Sequence, residues 1–277
     1  MEKVALRVAI QGERGSNSHA AAVKMLGEEV TIVPCALSAE VVERLAAADG
    51  VDVAVLPIEN TLHGSVADHY DLLFNHDLRV EGELLLRIQH NVMAAPGVKL
   101  SEVKRVLSHP VALSQCRRWL AAHREIEAVP FYDTAGSVKH LMATEDRAAA
   151  AIASAPAAPE YGAEILEAAI EDNPENYTRF LLVKRKADAV KVPGANKISL
   201  AFSIAHRPGT LVEALRGLAA AGVDLTKIES RPVPGKPWEY LFYVDLRFTN
   251  EEQAEKAVAS LAASCDMVRE MGRYLAA

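Results

Sequence analysis

Over the first 185 residues, short apolar runs alternate with stretches whose apolar positions recur every three or four residues. That rhythm predicts strands alternating with helices. Residues 4–10 read as a strand ending at Gln11-Gly12. A loop follows, then a helix over 20–26 closed by Gly27, with Ser16 and Ser18 as N-cap candidates. Further strands are expected at 30–33, 51–58, 103–107 and 128–132, and helices at 39–48, up to Asn75, at 110–122 and up to about Ala143. Pro110 suits a first helical position, where its missing N–H would have no partner. The alanine-rich stretch 148–154 is an ambiguous strand, and 159–169 reads as mainly helical. Residues 76–102 carry no assignment. At Asn176-Tyr177-Thr178-Arg179-Phe180 a polar loop end runs into apolar Leu181, Leu182 and Val183, which puts a hydroxyl and a guanidinium at the mouth of a buried strand.

The rhythm changes after residues 186–196, where Pro193-Gly194 marks a linker. Ile198, Leu200, Phe202 and Ile204 alternate as a half-buried strand, and a helix is expected from Pro208 to Gly222 with Leu211, Leu215 and Leu218 as its apolar stripe. Val223, Leu225 and Ile228 mark a second strand, turned back at Pro234-Gly235-Lys236-Pro237. Tyr240, Phe242, Val244 and Leu246 mark a third. A helix over 254–263 and a strand over 267–274 complete a βαββαβ order, the ferredoxin-like split unit. The fold class is therefore α/β, with largely parallel sheets first and an antiparallel βαββαβ unit last. Free sheet edges in such a unit favour self-association.

Composition narrows the function. The 277 residues are half hydrophobic and carry a formal charge of −7, so there is no basic footprint for nucleic acid. Three widely spaced cysteines, Cys35, Cys116 and Cys265, suggest buried thiols, not a disulfide framework or zinc site. Met1 leads into the first strand without a signal-like run, and no apolar stretch nears the length of a membrane span. No membrane association, no metal and a cytoplasmic location are expected. Small polar residues gather at four strand-to-helix junctions: Ser16/Ser18, Asn60/Thr61/Ser65, Ser108/His109 and Thr134/Ser137. Each offers hydroxyls and unpaired backbone N–H groups at a helix start, where α/β sheets bind anions.

The order of motifs resembles the prephenate dehydratases over nearly the whole chain. The resemblance is carried by Gly12 to Ala20, Pro57-Ile58-Glu59-Asn60-Thr61 with Gly64-Ser65-Val66, and Ser108-His109-Pro110 with Gln115-Cys116. Asp133-Thr134-Ala135 and Asn176 to Phe180 complete it. The tail resembles the family's ACT regulatory domain through Pro208-Gly209-Thr210-Leu211 and Thr226 to Pro232. Departures are small: Val111, Ser137-Val138, and Thr210 where Ala is common.

The resemblance implies a two-lobed, type 2 periplasmic-binding-protein-like catalytic domain at 1–185, a linker at 186–196 and an ACT domain at 197–277. It implies loss of carbon dioxide and water from prephenate to give phenylpyruvate, with no cofactor. Thr178 would be catalytic. Asn60, Thr61, Ser108, His109, Gln115, Thr134, Arg179 and Phe180 would bind substrate. Phenylalanine would be the allosteric effector, held by Gly209, Thr210, Leu211, Val212, Glu229 and Ser230 in a homodimer or homotetramer. No chorismate mutase-like helical segment precedes the first strand, so a monofunctional chain is expected. Arogenate dehydratase chemistry stays open beside prephenate. A non-catalytic anion-binding protein and a generic ACT-regulated enzyme are the readings from other classes.

Overall fold

A computed structural model describes residues 5–233 and 239–277. Val4 and the turn expected at Pro234-Gly235-Lys236-Pro237 lie outside them. In chain order the elements are β1 (Leu6–Gln11), α1 (Asn17–Leu26), β2 (Val30–Cys35), α2 (Ser38–Ala46), β3 (Val53–Asn60), β4 (Gly64–Ser65), α3 (Ala67–Asn75), β5 (Leu78–Arg87) and β6 (Asn91–Ala94). Then come β7 (Arg105–Ser108), α4 (Pro110–Ser114), α5 (Arg117–Ala122), β8 (Glu127–Pro130), α6 (Thr134–Thr144), β9 (Ala149–Ala153), α7 (Ala157–Tyr161), β10 (Glu164–Glu167) and β11 (Tyr177–Arg185). The tail supplies β12 (Lys197–Ser203), α8 (Thr210–Ala221), β13 (Asp224–Pro232), β14 (Tyr240–Arg247), α9 (Glu251–Ser264) and β15 (Met267–Tyr274). Contacts divide the chain into two units, Met1–Ser65 with Leu85–Phe180, and Val66–Leu84 with Leu181–Ala277.

The first unit carries two sheets. One runs β2-β1-β3-β11-β5, with β4 on β3, and β5 and β11 each continue along the chain into the second unit. Its central β1 pairs in parallel with β2 and β3, and Val8, Ala9 and Ile10 are fully buried. That explains the unbroken apolar run, since helices cover both faces of a parallel sheet. The edge strand β2 continues through Pro34, whose missing N–H costs little there.

The second sheet runs β10-β6-β9-β7-β8. Along β9, Ala150 and Ile152 pack into one core cluster while Ala149, Ala151 and Ala153 pack into another with Val138 and Leu141 of α6. Both faces of β9 are buried against close neighbours, and so the ambiguous alanine-rich stretch is a central strand.

Three expectations for this unit change. Residues 76–102 hold two strands, β5 and β6. The helix expected over 110–122 is two helices, because Asp172 accepts the Arg117 and Arg118 N–H groups, both at 2.9 Å, and starts α5 anew. The stretch expected to be helical over 159–169 is only the end of α7, stopped at Gly162 with φ 74°, followed by β10 paired antiparallel to β6.

In the second unit the tail forms a four-stranded antiparallel sheet, β13-β14-β12-β15. Ile198, Leu200 and Phe202 alternate onto one face and pack with Ala214 and Leu218 of α8 and Ala254, Ala257 and Leu261 of α9. The two helices press closely: a Cβ on Gly217 would stand 2.0 Å from the Ser260 hydroxyl oxygen. The helix expected from Pro208 begins at Thr210, because Gly209 takes φ 91° and caps it. Residues of α3 and β5 also belong to this unit. Arg231 of β13 bonds Asp68 and Asp71, Tyr243 bonds Asp71, and the Lys197 ammonium bonds Glu83 at 2.9 Å.

Candidate active site

The site begins where β3 gives way to the loop before β4. Two backbone N–H groups, of Leu62 and His63, donate to the Asn60 carbonyl oxygen at 2.9 and 3.0 Å. A backbone N–H can only donate, so these bonds fix which end of the amide is which. The Asn60 NH₂ therefore points the other way. Its two hydrogens serve three acceptors: the Asn176 side-chain oxygen at 2.8 Å, the Thr178 hydroxyl oxygen at 3.0 Å and the Tyr177 carbonyl at 3.1 Å.

The polarity passes on from there. Asn176 accepts through its oxygen, so its NH₂ donates to the Gln115 side-chain oxygen at 3.1 Å. The Gln115 NH₂ then donates to His63 Nδ1 at 3.1 Å. The same Gln115 oxygen lies 2.7 Å from His90 Nε2, which must carry the hydrogen. Asn176 is fully buried and Gln115 nearly so, which makes unpaired polar atoms costly and the network rigid.

Thr178 stands at the end of this chain with one consequence for its chemistry. Its oxygen receives from Asn60, and its own hydrogen meets no acceptor among the described residues. It is a hydroxyl oriented to donate. The first turn of β11 is held in place by Thr61: its N–H bonds the Tyr177 carbonyl at 2.9 Å. The Thr61 hydroxyl donates to the Glu175 carbonyl and accepts from the Tyr177 N–H, both at 3.0 Å.

Another cluster of expected residues lines a cleft of about 490 Å³, walled by Gln11, Gly12, Ser16, His109, Asp133 and Thr134. Ser16 caps α1 through the His19 N–H, Asp133 caps α6 through the Gly136 N–H, and His109 Nδ1 caps α4 through the Val111 N–H. Glu13 reaches the Tyr132 hydroxyl at 3.2 Å and the Lys139 ammonium at 2.9 Å. Gly12 has φ 93°, and a Cβ there would meet an Asp133 carboxylate oxygen at 2.8 Å. Burial, with the Glu13 charge nearby, raises the Asp133 carboxyl above its ordinary value against the opposing Gly136 bond.

The structure thus brings Thr178, Asn60 and Gln115 into one network and sets His109 and Thr134 on the cleft. Ser108 is fully buried with its hydroxyl on the Ile152 carbonyl at 2.6 Å, Phe180 is core, and Arg179 is nearly buried. Sequence reasoning left Asn176 and His90 without a site role and ranked His63 below His109. Asn176 sat inside a quoted motif, but only tertiary contacts turn its amide toward Gln115. In the second unit, Gly209, Thr210, Leu211 and Val212 line a separate cleft of about 260 Å³ with His206 and Phe242. Glu229 and Ser230 lie on β13 and are not part of that lining. Among the described residues no three His, Cys, Asp or Glu side chains are grouped to hold a metal ion, and no helix is long and apolar enough to cross a membrane.

Two α/β sheets with a ferredoxin-like unit in the tail define the class of fold, which is shared with solved prephenate dehydratases. The chain belongs to the prephenate dehydratase family, which it matches over residues 8–188. It is 40% identical to an arogenate dehydratase/prephenate dehydratase of Arabidopsis thaliana, over 97% of this chain and 72% of the relative. A prephenate dehydratase from Arthrobacter aurescens, solved in complex with L-Phe, superposes with TM-score 0.88 at 32% identity, covering 98% and 90% of the two chains. A structure described as GqqA, a novel type of quorum quenching acylase, superposes with TM-score 0.89 at 31% identity over 98% of each chain.

Proposed function

We propose that this enzyme converts prephenate to phenylpyruvate, carbon dioxide and water, with Thr178 assisting departure of the ring hydroxyl. In this reaction the carbon–carbon bond to the ring carboxylate breaks, and its electron pair enters the ring as carbon dioxide leaves. The ring carbon–oxygen bond breaks in turn, and the departing oxygen takes up a proton to leave as water. Aromatisation drives the change. The enzyme's task is to help the oxygen leave and to hold the carboxylates in line.

The observation that carries the reading is the donor polarity of Thr178. An aliphatic alcohol is a very weak acid, so Thr178 acts as a placed hydrogen-bond donor to the leaving oxygen, not as a free proton source. Such preorganised donors are worth roughly 10²–10³-fold in rate. Around it stand neutral amides. A cation held tightly on the ring carboxylate would oppose its loss as carbon dioxide, so a neutral cluster suits the bond that breaks. The Gln115 NH₂ orients substrate beside Thr178. The N-termini of α1 and α6, with Ser16, Asn17, Ser18 and Thr134, offer donors to a carboxylate, and His109 lies on the same cleft wall. Ser108, Thr61 and Phe180 serve by holding backbone, and Arg179 supplies charge at the entrance of β11.

Residues 1–185 carry the chemistry in this reading, 186–196 link, and 197–277 regulate. L-phenylalanine is the effector. Its carboxylate meets the N–H groups at the start of α8, beside Gly209 and Thr210, and its ring meets Leu211 and Val212. Glu229 and Ser230 complete the site from a second copy in a homodimer or larger homo-oligomer. The Arthrobacter relative's L-Phe complex supports this assignment.

Arogenate, with an amino group replacing the side-chain ketone, is the second reading, favoured by the name of the Arabidopsis relative. Steady-state assays of purified protein with prephenate and with arogenate decide between the two readings. The expected result is turnover of prephenate with a kcat/KM above that for arogenate. Exclusive turnover of arogenate overturns the proposal.

A further inference from the structure

Between β5 and β6 the chain passes from the first sheet to the second, and between β10 and β11 it returns. The two passages lie against each other: Ile170 N–H donates to the His90 carbonyl at 2.9 Å and Ile88 N–H to the Asn176 carbonyl at 2.7 Å. His90 sits in this crossing and is only 3% exposed. Its backbone N–H donates to Glu171 at 3.0 Å, and Glu171 also faces Arg87 at 3.6 Å. Among the described residues the side chain makes one hydrogen bond, from Nε2 to the Gln115 oxygen at 2.7 Å, while Nδ1 is buried and meets no partner.

A buried histidine with a bare ring nitrogen wastes half of its hydrogen-bonding capacity. The arrangement makes sense once the polarity of the network is followed. Starting from the Leu62 and His63 N–H groups, each amide's orientation is forced in turn through Asn60, Asn176 and Gln115. The last link requires a donor at His90 Nε2. A neutral imidazole has one N–H, so Nδ1 is left as a buried acceptor. Burial favours that neutral form, lowering the His90 pKa against the opposing influence of Gln115 and Glu171.

We propose that His90 is a positioning residue for the dehydration, held neutral as the Nε2–H tautomer to lock the Gln115 amide with its NH₂ turned toward His63 and the substrate. The inference rests on the dehydratase reading above. Without His90, the Gln115 oxygen keeps a single donor, Asn176, and the amide is free to rotate. The same rotation would point the Gln115 NH₂ at the Asn176 NH₂, which strains the partner that receives Asn60 and, through it, Thr178.

The test uses full-length protein and two variants. His90→Leu fills the space without a donor; His90→Gln restores an amide N–H near the position of Nε2. His90→Leu is expected to lower kcat by roughly tenfold to a hundredfold, the range for one lost orienting hydrogen bond at a reacting centre. His90→Gln is expected to recover most of that loss. In a Gln115→Leu background the His90→Leu substitution should cost less than threefold more, because its route of action is already gone. Long-range ¹H–¹⁵N spectra of the wild type at pH 8 should show the Nε2–H tautomer at His90.

Unchanged kcat in a folded His90→Leu variant overturns the positioning role, as does an equal loss with and without Gln115. A His90 that carries its proton on Nδ1 at pH 8 overturns the geometry whatever the activity. If wild-type protein turns over neither prephenate nor arogenate, the dehydratase reading falls and the catalytic role with it; the spectra still judge the tautomer. Should His90→Leu fail to fold, the His90→Gln kinetics and the spectra decide.

Discussion

The Thr178 cluster and the Gly209 cleft are built in opposite ways. Around Thr178 the side chains of Asn60, Asn176 and Gln115 are engaged with one another, and Asn176 is completely buried. Around Gly209 the chain offers backbone and apolar surface: Val212 is 58% exposed, and a Cβ on Gly209 would meet nothing within 4 Å. The Thr210 hydroxyl is spent on the Ala205 and Arg207 carbonyls, both at 2.9 Å, which shapes the turn into α8. A reaction site needs donors aimed in advance, because reorganisation at the moment of reaction costs rate. An effector site needs only differential affinity between two states, and an open, incomplete surface supplies it once a partner closes over it.

The largest effect belongs to the hydroxyl itself. Thr178→Ala should lower kcat by about 10²-fold or more with an unchanged melting temperature, since the hydroxyl accepts a single protein hydrogen bond. Wild-type turnover in that variant would remove Thr178 from the chemistry.

Reversing the polarity of the network comes next. Asn60→Asp sets a carboxylate oxygen against the Asn176 oxygen and the Tyr177 carbonyl, and draws the Thr178 hydrogen inward. We expect a loss of tenfold or more in kcat and about 1–3 kcal/mol of stability by denaturant titration. If activity survives while stability falls, the cluster is scaffold alone.

The Gly209 cleft is sharpened by changing exposed surface. Gly209→Val is a poor probe, because φ 91° strains any β-branched residue whether or not a ligand binds there. Val212→Glu leaves the backbone intact and puts a negative charge beside the expected carboxylate. Turnover without phenylalanine should be unchanged, while the phenylalanine concentration for half-inhibition rises at least tenfold. Equal inhibition of both proteins would place the effector elsewhere.

The smallest effect concerns Asp133, on the cleft lined by Gly12, His109 and Thr134. Its carboxyl is raised by burial, so the folded chain holds that proton more tightly than the unfolded chain does. The stabilisation is full below the unfolded value of about 3.9 and is lost as pH rises through the folded one. Asp133→Asn keeps an oxygen for the Gly136 N–H and cannot ionise. Its stability curve should lack that decline with rising pH; an identical decline in both proteins would assign it to another group.

Much of this architecture was legible in order and type. The apolar run from Val53 and the alternation of Ile198, Leu200 and Phe202 state their burial directly, because strand periodicity maps one residue onto one face. The motif at Asn176 to Phe180 coincides with the entrance of a strand, β11. Elsewhere local pattern misled. The helix expected over 110–122 breaks because Asp172, distant in sequence, caps its second half, and Gln115 stands at that break. Residues 164–167 look helical until β6 offers them a partner. At Ser108 and Thr61, expected as substrate contacts, the hydroxyls donate to carbonyls of distant segments, a pairing that no local pattern announces.

What the sequence determined by itself was the set of chemical groups and the elements that carry them: a threonine at a strand mouth, amides and hydroxyls at helix starts, and a βαββαβ tail. These follow from propensity and periodicity, which act over a few residues. Tertiary structure alone decided which way those groups point. Hydrogen-bond polarity is inherited from partner to partner, from two backbone amides near Leu62 to the Thr178 hydroxyl on one side and the His90 ring on the other. No local stretch of chain contains that information, because each amide has two ends and only its neighbours in space choose between them.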